Sequence, residues 1–177
     1  RIVNDDEFDS SGVRTSRPVN LDGLYQAGGF ISWDFPVRAI KSMINLKSDL
    51  QYDHNASLVN GARNNGNTWT AGHGADMQFS YKELLDISGG ARVEYNDARY
   101  SLQPGQNQHY WTETYTFDMN WYLTKVLSFA SDLSYTHRTG LPAGYNSSPL
   151  VWNAGVAAQV FRNRKGLFRL QVFDILR

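Results

Sequence analysis

Residues 115–135 read YTFDMNWYLTKVLSFASDLSY, and this stretch decides the fold class. Apolar and polar side chains alternate from Tyr115 to Leu123 and again from Leu127 to Tyr135, on either side of the short turn Thr124-Lys125. Successive side chains of a β-strand point to opposite faces of the sheet, so alternation with a period of two predicts two antiparallel strands joined in a hairpin. Each strand would have one apolar face and one polar face.

Alternating segments of this kind recur along the chain and are joined by two kinds of connection. They predict eight strands, at about 22–35, 42–53, 69–81, 85–96, 110–123, 126–137, 150–161 and 167–175. Tight turns close four hairpins, and long polar loops at 54–68, 97–109 and 138–149 separate the hairpins. Strands that turn tightly on one side and loop widely on the other are typical of a transmembrane β-barrel. We therefore expect an all-β, antiparallel, up-and-down transmembrane β-barrel.

Charged residues are concentrated on one parity of the predicted strands. The apolar parity holds no Asp, Glu, Lys or Arg except Glu113 and Asp174, which lie at predicted strand ends. A charge on the lipid face costs roughly 2–4 kcal/mol for Arg or Lys at the bilayer midplane and much less near the interfaces. The opposite parity would line a lumen with Lys47, Asp49, Asp76, Arg92, Glu94, Asp118 and Asp132. Phe30 departs from this pattern, because it is an aromatic residue on the polar parity.

Aromatic residues cluster at both ends of the predicted strands. Those beside the tight turns are Trp33, Phe35, Tyr81, Trp121 and Phe161, and those beside the long loops are Tyr52, Tyr95, Tyr110, Trp111, Tyr135 and Trp152. Amphipathic rings prefer the depth of the lipid headgroups. The two clusters therefore predict two interfacial girdles.

Composition narrows the function classes. The formal net charge of the 177 residues is zero, which gives no basic footprint for nucleic acid, and cysteine is absent, which excludes disulfides and thiolate metal sites. The mean hydropathy is −0.48. No apolar run approaches the roughly 20 residues of a membrane helix.

A soluble β-sandwich or a soluble barrel is the main structural alternative, because it would show the same parity. Strand length favours a membrane barrel over these soluble folds. Strands of soluble proteins average about 5–6 residues, whereas a tilted membrane strand needs about 9–11, and the alternating segments are at least that long.

The last hairpin resembles a known family. The similar motifs are Trp152-Asn153-Ala154, Gln159-Val160-Phe161, Asn163-Arg164-Lys165-Gly166 and the run from Leu170 to Leu176, together with Asn20-Leu21-Asp22-Gly23, Phe35-Pro36 and Arg138-Thr139-Gly140. They resemble the outer-membrane β-barrel family of the TonB-dependent receptors of Bacteroidetes. These motifs concern architecture rather than chemistry.

The resemblance implies a barrel of about 22 strands, plugged by an N-terminal domain and located in the bacterial outer membrane. The chain would be roughly the C-terminal third of that barrel, with residues 1–21 as the tail of an extracellular loop. Implied partners are outer-membrane lipid, the missing plug domain and remaining barrel strands, TonB through the missing N-terminal part, and in some systems a surface lipoprotein. The implied function is uptake of a nutrient such as a chelate, an oligosaccharide or a peptide.

Ligand contacts are expected where aromatic rings and amides meet in the outer loops. The candidates are Trp69, Tyr100, Gln106, Gln108, Tyr110 and Tyr145. Such side chains would suit a saccharide, a peptide or a chelate. The four histidines match no metal motif, and the chain has no nucleophile elbow or phosphate-binding glycine loop. We therefore predict no enzymatic activity, no cofactor and no metal site.

A small non-transporting barrel, structural or adhesive and complete at eight strands, is a second alternative. The interior of an eight-stranded barrel is filled by side chains. The polar parity holds many small residues that would fill it poorly, namely Gly72, Gly74, Ser80, Ser88, Gly90, Gly155 and Ala157. The composition of this parity therefore favours a wider barrel.

Overall fold

Long β-strands make up most of the structure, a computed structural model that describes residues 2–142, 145, 148–161 and 165–176. The strands are β1 (Ile2–Phe8), β2 (Arg14–Asn20), β3 (Tyr25–Val37), β4 (Ser42–Val59), β5 (Ala62–Tyr81), β6 (Leu85–Tyr100), β7 (Gln108–Tyr122), β8 (Leu127–Thr139), β9 (Leu150–Val160) and β10 (Gly166–Val172). Short 3₁₀ turns lie at Arg38–Ile40 and Pro104–Gln106. The fold is all-β, and the described residues include no helix long and apolar enough to cross a membrane.

One sheet contains all ten strands. From β3 to β10 each strand pairs antiparallel with the next along the chain, as expected for successive hairpins. Beyond the end of β3, the same edge of β4 pairs with β1, and this pairing is parallel. Within the described residues no pairing joins the two ends of the sheet, so the sheet is open.

The register of the sheet aligns the apolar parity of all eight predicted strands on one face. One row of directly paired residues on this face runs Trp33, Leu46, Ala75, Ala91, Tyr115, Tyr135 and Leu150. Directly opposite residues share a face of the sheet. The division into an apolar and a polar face, predicted from alternation, is therefore confirmed by the strand pairing.

All eight predicted strands are present, but several of their ends are displaced. The predicted loop 54–68 is wrong, because β4 and β5 pair through this region as far as Val59 and Ala62. Only Asn60 and Gly61 turn, with positive φ angles of 50° and 74° that suit a two-residue hairpin turn. The predicted loop 97–109 shrinks to 101–107, and the last strand ends at Val172 rather than at 175.

The N-terminal segment is more regular than a loop tail. Residues 2–20, expected to belong to an extracellular loop, form the hairpin of β1 and β2. The hairpin is attached to the sheet by pairing of Asp5 with Leu58 and of Asp6 with Val59. Residues 22–24, expected to begin the first long strand, are not part of β3. Residues 163 and 164, which belong to one of the similar motifs, lie outside the described residues.

The sheet has almost no buried core. Among the described apolar residues only Ala56 and Ala98 are buried. Large apolar side chains on the apolar face are instead exposed, by 77% for Ile31 and 70% for Trp33. A folded sheet normally covers such a face with a second layer. None of the described elements supplies that layer.

Asn64 anchors the loop between β6 and β7. Its side chain is 4% exposed, accepts a hydrogen bond from the backbone N–H of Leu102 at 3.0 Å and donates one to Gln103 at 3.2 Å. The neighbouring backbone of Asn65 accepts a further bond from the Ser101 N–H at 2.9 Å. The loop is therefore fixed on the outer part of β5.

Replacing Asn64 with Ala should release this loop. A partly buried hydrogen bond contributes about 0.5–1.5 kcal/mol, and 1.4 kcal/mol corresponds to a factor of ten. We expect the Leu102 amide to exchange its hydrogen up to about tenfold faster in the Asn64→Ala variant. Asn65→Ala is the matched control, because the side chain of Asn65 only receives an exposed bond from Arg63. Equal exchange rates in the two variants would contradict the anchoring role.

Candidate ligand-binding face

All seven residues predicted to line a lumen lie on the polar face. Directly paired residues place Lys47 beside Gly74 and Arg92, and Asp49 beside Gly72 and Glu94. Asp76, Asp118 and Asp132 share the same face nearer the tight turns. The structure therefore gathers the predicted polar residues on one surface but separates them into two groups.

An ion pair bridges three strands in the first group. Arg92 on β6 reaches across β5 and donates two hydrogen bonds, at 2.9 and 3.0 Å, to the two carboxylate oxygens of Asp49 on β4. The same guanidinium donates to Glu94 at 3.2 Å. Bidentate geometry of this kind fixes both the position and the orientation of the side chains.

Glycine makes this bridge possible. A Cβ atom at Gly72 would collide with the guanidinium of Arg92 and lie 2.9 Å from Oδ2 of Asp49. At Gly74 a Cβ atom would lie 3.5 Å from Cβ of Arg92. The side chain of Arg92 therefore lies over a strip of β5 that carries no side chains.

Polar side chains around the ion pair are also hydrogen-bonded. Asn96 donates to Glu94 at 3.0 Å and accepts from the hydroxyl of Thr70 at 3.0 Å. Gln51, on the neighbouring strand, donates to Asp53 at 2.7 Å. Sequence reasoning missed Gln51, Thr70 and Asn96. Their only signal was polar parity, which they share with many other residues.

The second group is acidic. Asp118 and Asp132 are directly paired across β7 and β8. Asp132 accepts a hydrogen bond from Asn153 at 2.6 Å, and Asp118 accepts one from Ser88 at 3.4 Å. Asp76 lies over Gly90, where a Cβ atom would collide with its carboxylate. Hydrogen-bond donors therefore offset part of the repulsion between these carboxylates.

Phe30 lies beside the first group. It is directly paired with Asp49, and its ring is 71% exposed on the polar face. Nζ of Lys47 lies 5.4 Å from the centroid of the ring, within the range of a cation–π contact. Alternation does not explain why this ring lies on the polar face. The structure gives it two charged neighbours there, Asp49 and Lys47.

The ligand contacts predicted in the outer loops do not form one site. Tyr100, Gln108 and Tyr110 share the polar face at the outer ends of β6 and β7. Trp69 lies on the opposite, apolar face, with its ring centroid 4.6 Å from that of Tyr52. Gln106 is in the 3₁₀ turn at Pro104–Gln106, and Tyr145 is 71% exposed in the loop before β9.

The histidines are separated from one another and mostly hydrogen-bonded. Nδ1 of His54 lies 2.7 Å from Asn67, that of His73 2.7 Å from Ser48, and that of His137 2.7 Å from Ser148. Within the described part of the chain, no group of three or more potential ligands could hold a metal ion.

Ion pairs also lie at the outer ends of the strands, beyond the apolar band. Arg17 bridges Asp5 at 3.0 Å and Glu7 at 2.7 Å within the β1–β2 hairpin. Arg99 donates to Asp97 at 2.8 and 3.1 Å, and these bonds hold the pKa of the Asp97 carboxyl below its ordinary value. The same bonds raise the pKa of the Arg99 guanidinium above its ordinary value. The pair of Arg99 and Asp97 therefore remains charged at neutral pH.

Comparisons of the chain with protein-family models, with curated proteins and with solved structures find no match. The family resemblance drawn from the last hairpin therefore stays a prediction.

Replacing Gly72 with Ala should break the bridge between Arg92 and Asp49. The pair is partly exposed, so we expect a loss of about 1 kcal/mol in the free energy of unfolding, measured by urea titration of the protein. Gly89→Ala is the control, because a Cβ atom there would meet only the carbonyl oxygen of Thr116, at an ordinary 3.6 Å.

A double variant tests the cause of that loss. Once Arg92→Ala has removed the guanidinium, adding Gly72→Ala should cost little more, since the collision with Arg92 is gone and the carboxylate of Asp49, no longer held by Arg92, can move aside. Additive losses in the double variant would show that Gly72 acts through something other than Arg92.

Proposed function

We propose that the chain forms part of the wall of an outer-membrane transport barrel of the TonB-dependent receptor type, which takes up a nutrient such as a chelate, an oligosaccharide or a peptide. The observation that carries the proposal is the uncovered apolar face of the sheet. It extends across strands β3 to β10, and large side chains such as Ile31 and Phe168 are 77% and 60% exposed on it. Lipid satisfies such a face without a second protein layer.

The spacing of aromatic residues on this face supports a membrane location. Trp111 and Trp121 lie ten residues apart on β7. At about 3.4 Å per residue they are separated by about 34 Å along the strand. A tilt of about 45° reduces this to about 24 Å across the bilayer, close to the roughly 25 Å apolar band of outer-membrane barrels.

The outer aromatic residues also descend across the sheet in steps. Trp69 is paired with Asp97, whereas Trp111 is paired with Tyr95, one row nearer the tight turns. The descent continues through Tyr135 and Trp152. When strands tilt relative to the membrane, aromatic residues at one membrane depth fall at successively shifted positions on neighbouring strands. The stagger therefore supports tilted, barrel-like strands.

Polar residues on the apolar face are paired with one another. Glu113 accepts a hydrogen bond from Tyr115 at 3.2 Å and lies directly opposite His137. His73 lies 2.7 Å from the hydroxyl of Ser48. Polar groups facing lipid need such partners, because no water is present to replace them.

The open edges support a barrel larger than this sheet. Strands β3 and β10 each have one edge without a described partner. Unpaired strand edges are not tolerated in the hydrocarbon region. Additional strands would satisfy them, and the small residues on the polar face suit a wide lumen. This argues against a small closed barrel with a structural or adhesive role.

Ala91→Arg tests the lipid-facing surface. Ala91 is flanked on the apolar face by Ala75 and Tyr115. An arginine near the midplane costs about 2–4 kcal/mol, so we expect less full-length protein in the outer membrane and a weaker heat-dependent shift on SDS gels. The control is Thr116→Arg, on the polar face and paired with Gly90. Equal assembly of the two variants would indicate a sheet that lies in water, as in a soluble β-protein.

Transport itself is tested by growth of the native bacterium on limiting nutrient. Deleting the full-length gene should abolish growth on one class among chelates, oligosaccharides and peptides, and deleting the TonB homologue should have the same effect. Growth that depends on the gene but persists without TonB would contradict energy-coupled transport. Unchanged growth on all three classes would contradict a transport role.

A further inference from the structure

A recess lies on the polar face where β3 meets β4. Its volume is about 580 Å³, and its lining includes Gln26, Phe30, Lys47, Asp49, Gln51 and Arg92. This volume is within the roughly 300–1,000 Å³ typical of small-molecule sites. Gly28, directly paired with Gln51, lies in the lining and leaves room there because it carries no side chain.

Phe30 is the unusual residue of this recess. Within the fully described strands β3 to β8, it is the only aromatic residue on the polar face away from a strand end; the others on that face are Tyr100, Tyr110 and Tyr122. Its ring is 71% exposed, although exposure to water gains nothing for an apolar ring. An exposed ring among polar groups provides a flat apolar platform in an otherwise hydrophilic wall.

Hydrogen-bonding groups surround the platform. The carboxylate of Asp49 holds Arg92, yet two oxygens offer about four acceptor positions, so it can accept further hydroxyl protons. The amide of Gln51 is held by its bond to Asp53, and within the described residues the side chain of Gln26 makes no hydrogen bond. The recess therefore presents one oriented amide and one free amide, both on the side of the ring towards the start of β3.

The charges in the recess nearly cancel. Arg92 is neutralised by Asp49 and Glu94, and Lys47 lies over the ring of Phe30. A highly charged ligand such as a metal chelate would find no excess charge of opposite sign. A neutral ligand rich in hydroxyl groups fits better, because it needs donors and acceptors together with an apolar surface.

We infer that this recess binds a neutral oligosaccharide, with the apolar C–H face of one sugar ring stacked on Phe30 and the hydroxyl groups of this and adjacent sugars bonded to Asp49, Gln51 and Gln26. The inference rests on the proposed transport function and names its substrate class. It also moves the expected ligand contacts from the outer loops to the wall of the sheet.

The test is calorimetry on purified full-length protein in detergent with a panel of neutral oligosaccharides. Phe30→Ala should weaken binding of one member at least tenfold, and Phe30→Trp should retain it. Gln26→Ala, at an exposed side chain that makes no hydrogen bond within the described residues, should weaken binding severalfold. Tyr122→Ala is the control, because Tyr122 lies on the same face at the tight-turn end of β7 and should leave affinity unchanged.

The outcomes separate the inference from the function on which it rests. Undiminished binding by both Phe30→Ala and Gln26→Ala would overturn the site. Binding of peptides or metal chelates, but of none of the oligosaccharides, would overturn the substrate class while leaving transport intact. Failure of the proposed function appears elsewhere, as unchanged growth of the gene deletion or as absence of the protein from the outer membrane.

Discussion

The hydrogen-bond register between neighbouring strands is the constraint on which the rest of the structure depends. A slip of one residue at any pairing would move the polar side chains of one strand onto the apolar face. The tight turns hold this register, and so does the long ladder of β4 and β5, which pairs without a break from Ser42 to Val59. The uncovered apolar face and the polar recess are two consequences of the same alignment.

The polar face shows how a register creates a site. Arg92 meets Asp49 only because the residue between them on β5 is Gly72, and both members of this pair line the recess beside Phe30. Glycine in a strand interior weakens the strand, since it gains conformational freedom in the unfolded chain and offers no side chain to pack. The sheet tolerates this cost where the backbone must leave room for a neighbour.

Alternation predicted the strands and their faces well, because it follows directly from the geometry of a pleated chain. It failed at 54–68, where Asn64-Asn65-Gly66-Asn67 reads as a turn although cross-strand pairing keeps it extended. Local preference for turns is weaker than a continuous ladder of backbone hydrogen bonds. The contact of Arg92 with Asp49 was beyond sequence reasoning, since the two residues lie 43 positions apart and meet only through register.

The ladder of β4 and β5 also extends well past the aromatic residues. Seven residues separate Tyr52 from Val59, which amounts to about 24 Å of paired strand. A paired ribbon of this length is stiff, so its tip at Asn60-Gly61 stays at a nearly constant distance from the aromatic residues. Loop tips of this kind accept insertions readily. On the proposed outer-membrane location, a short epitope placed between Asn60 and Gly61 would be displayed to antibodies beyond the membrane, and the hairpin would serve as a scaffold for labelling whole cells.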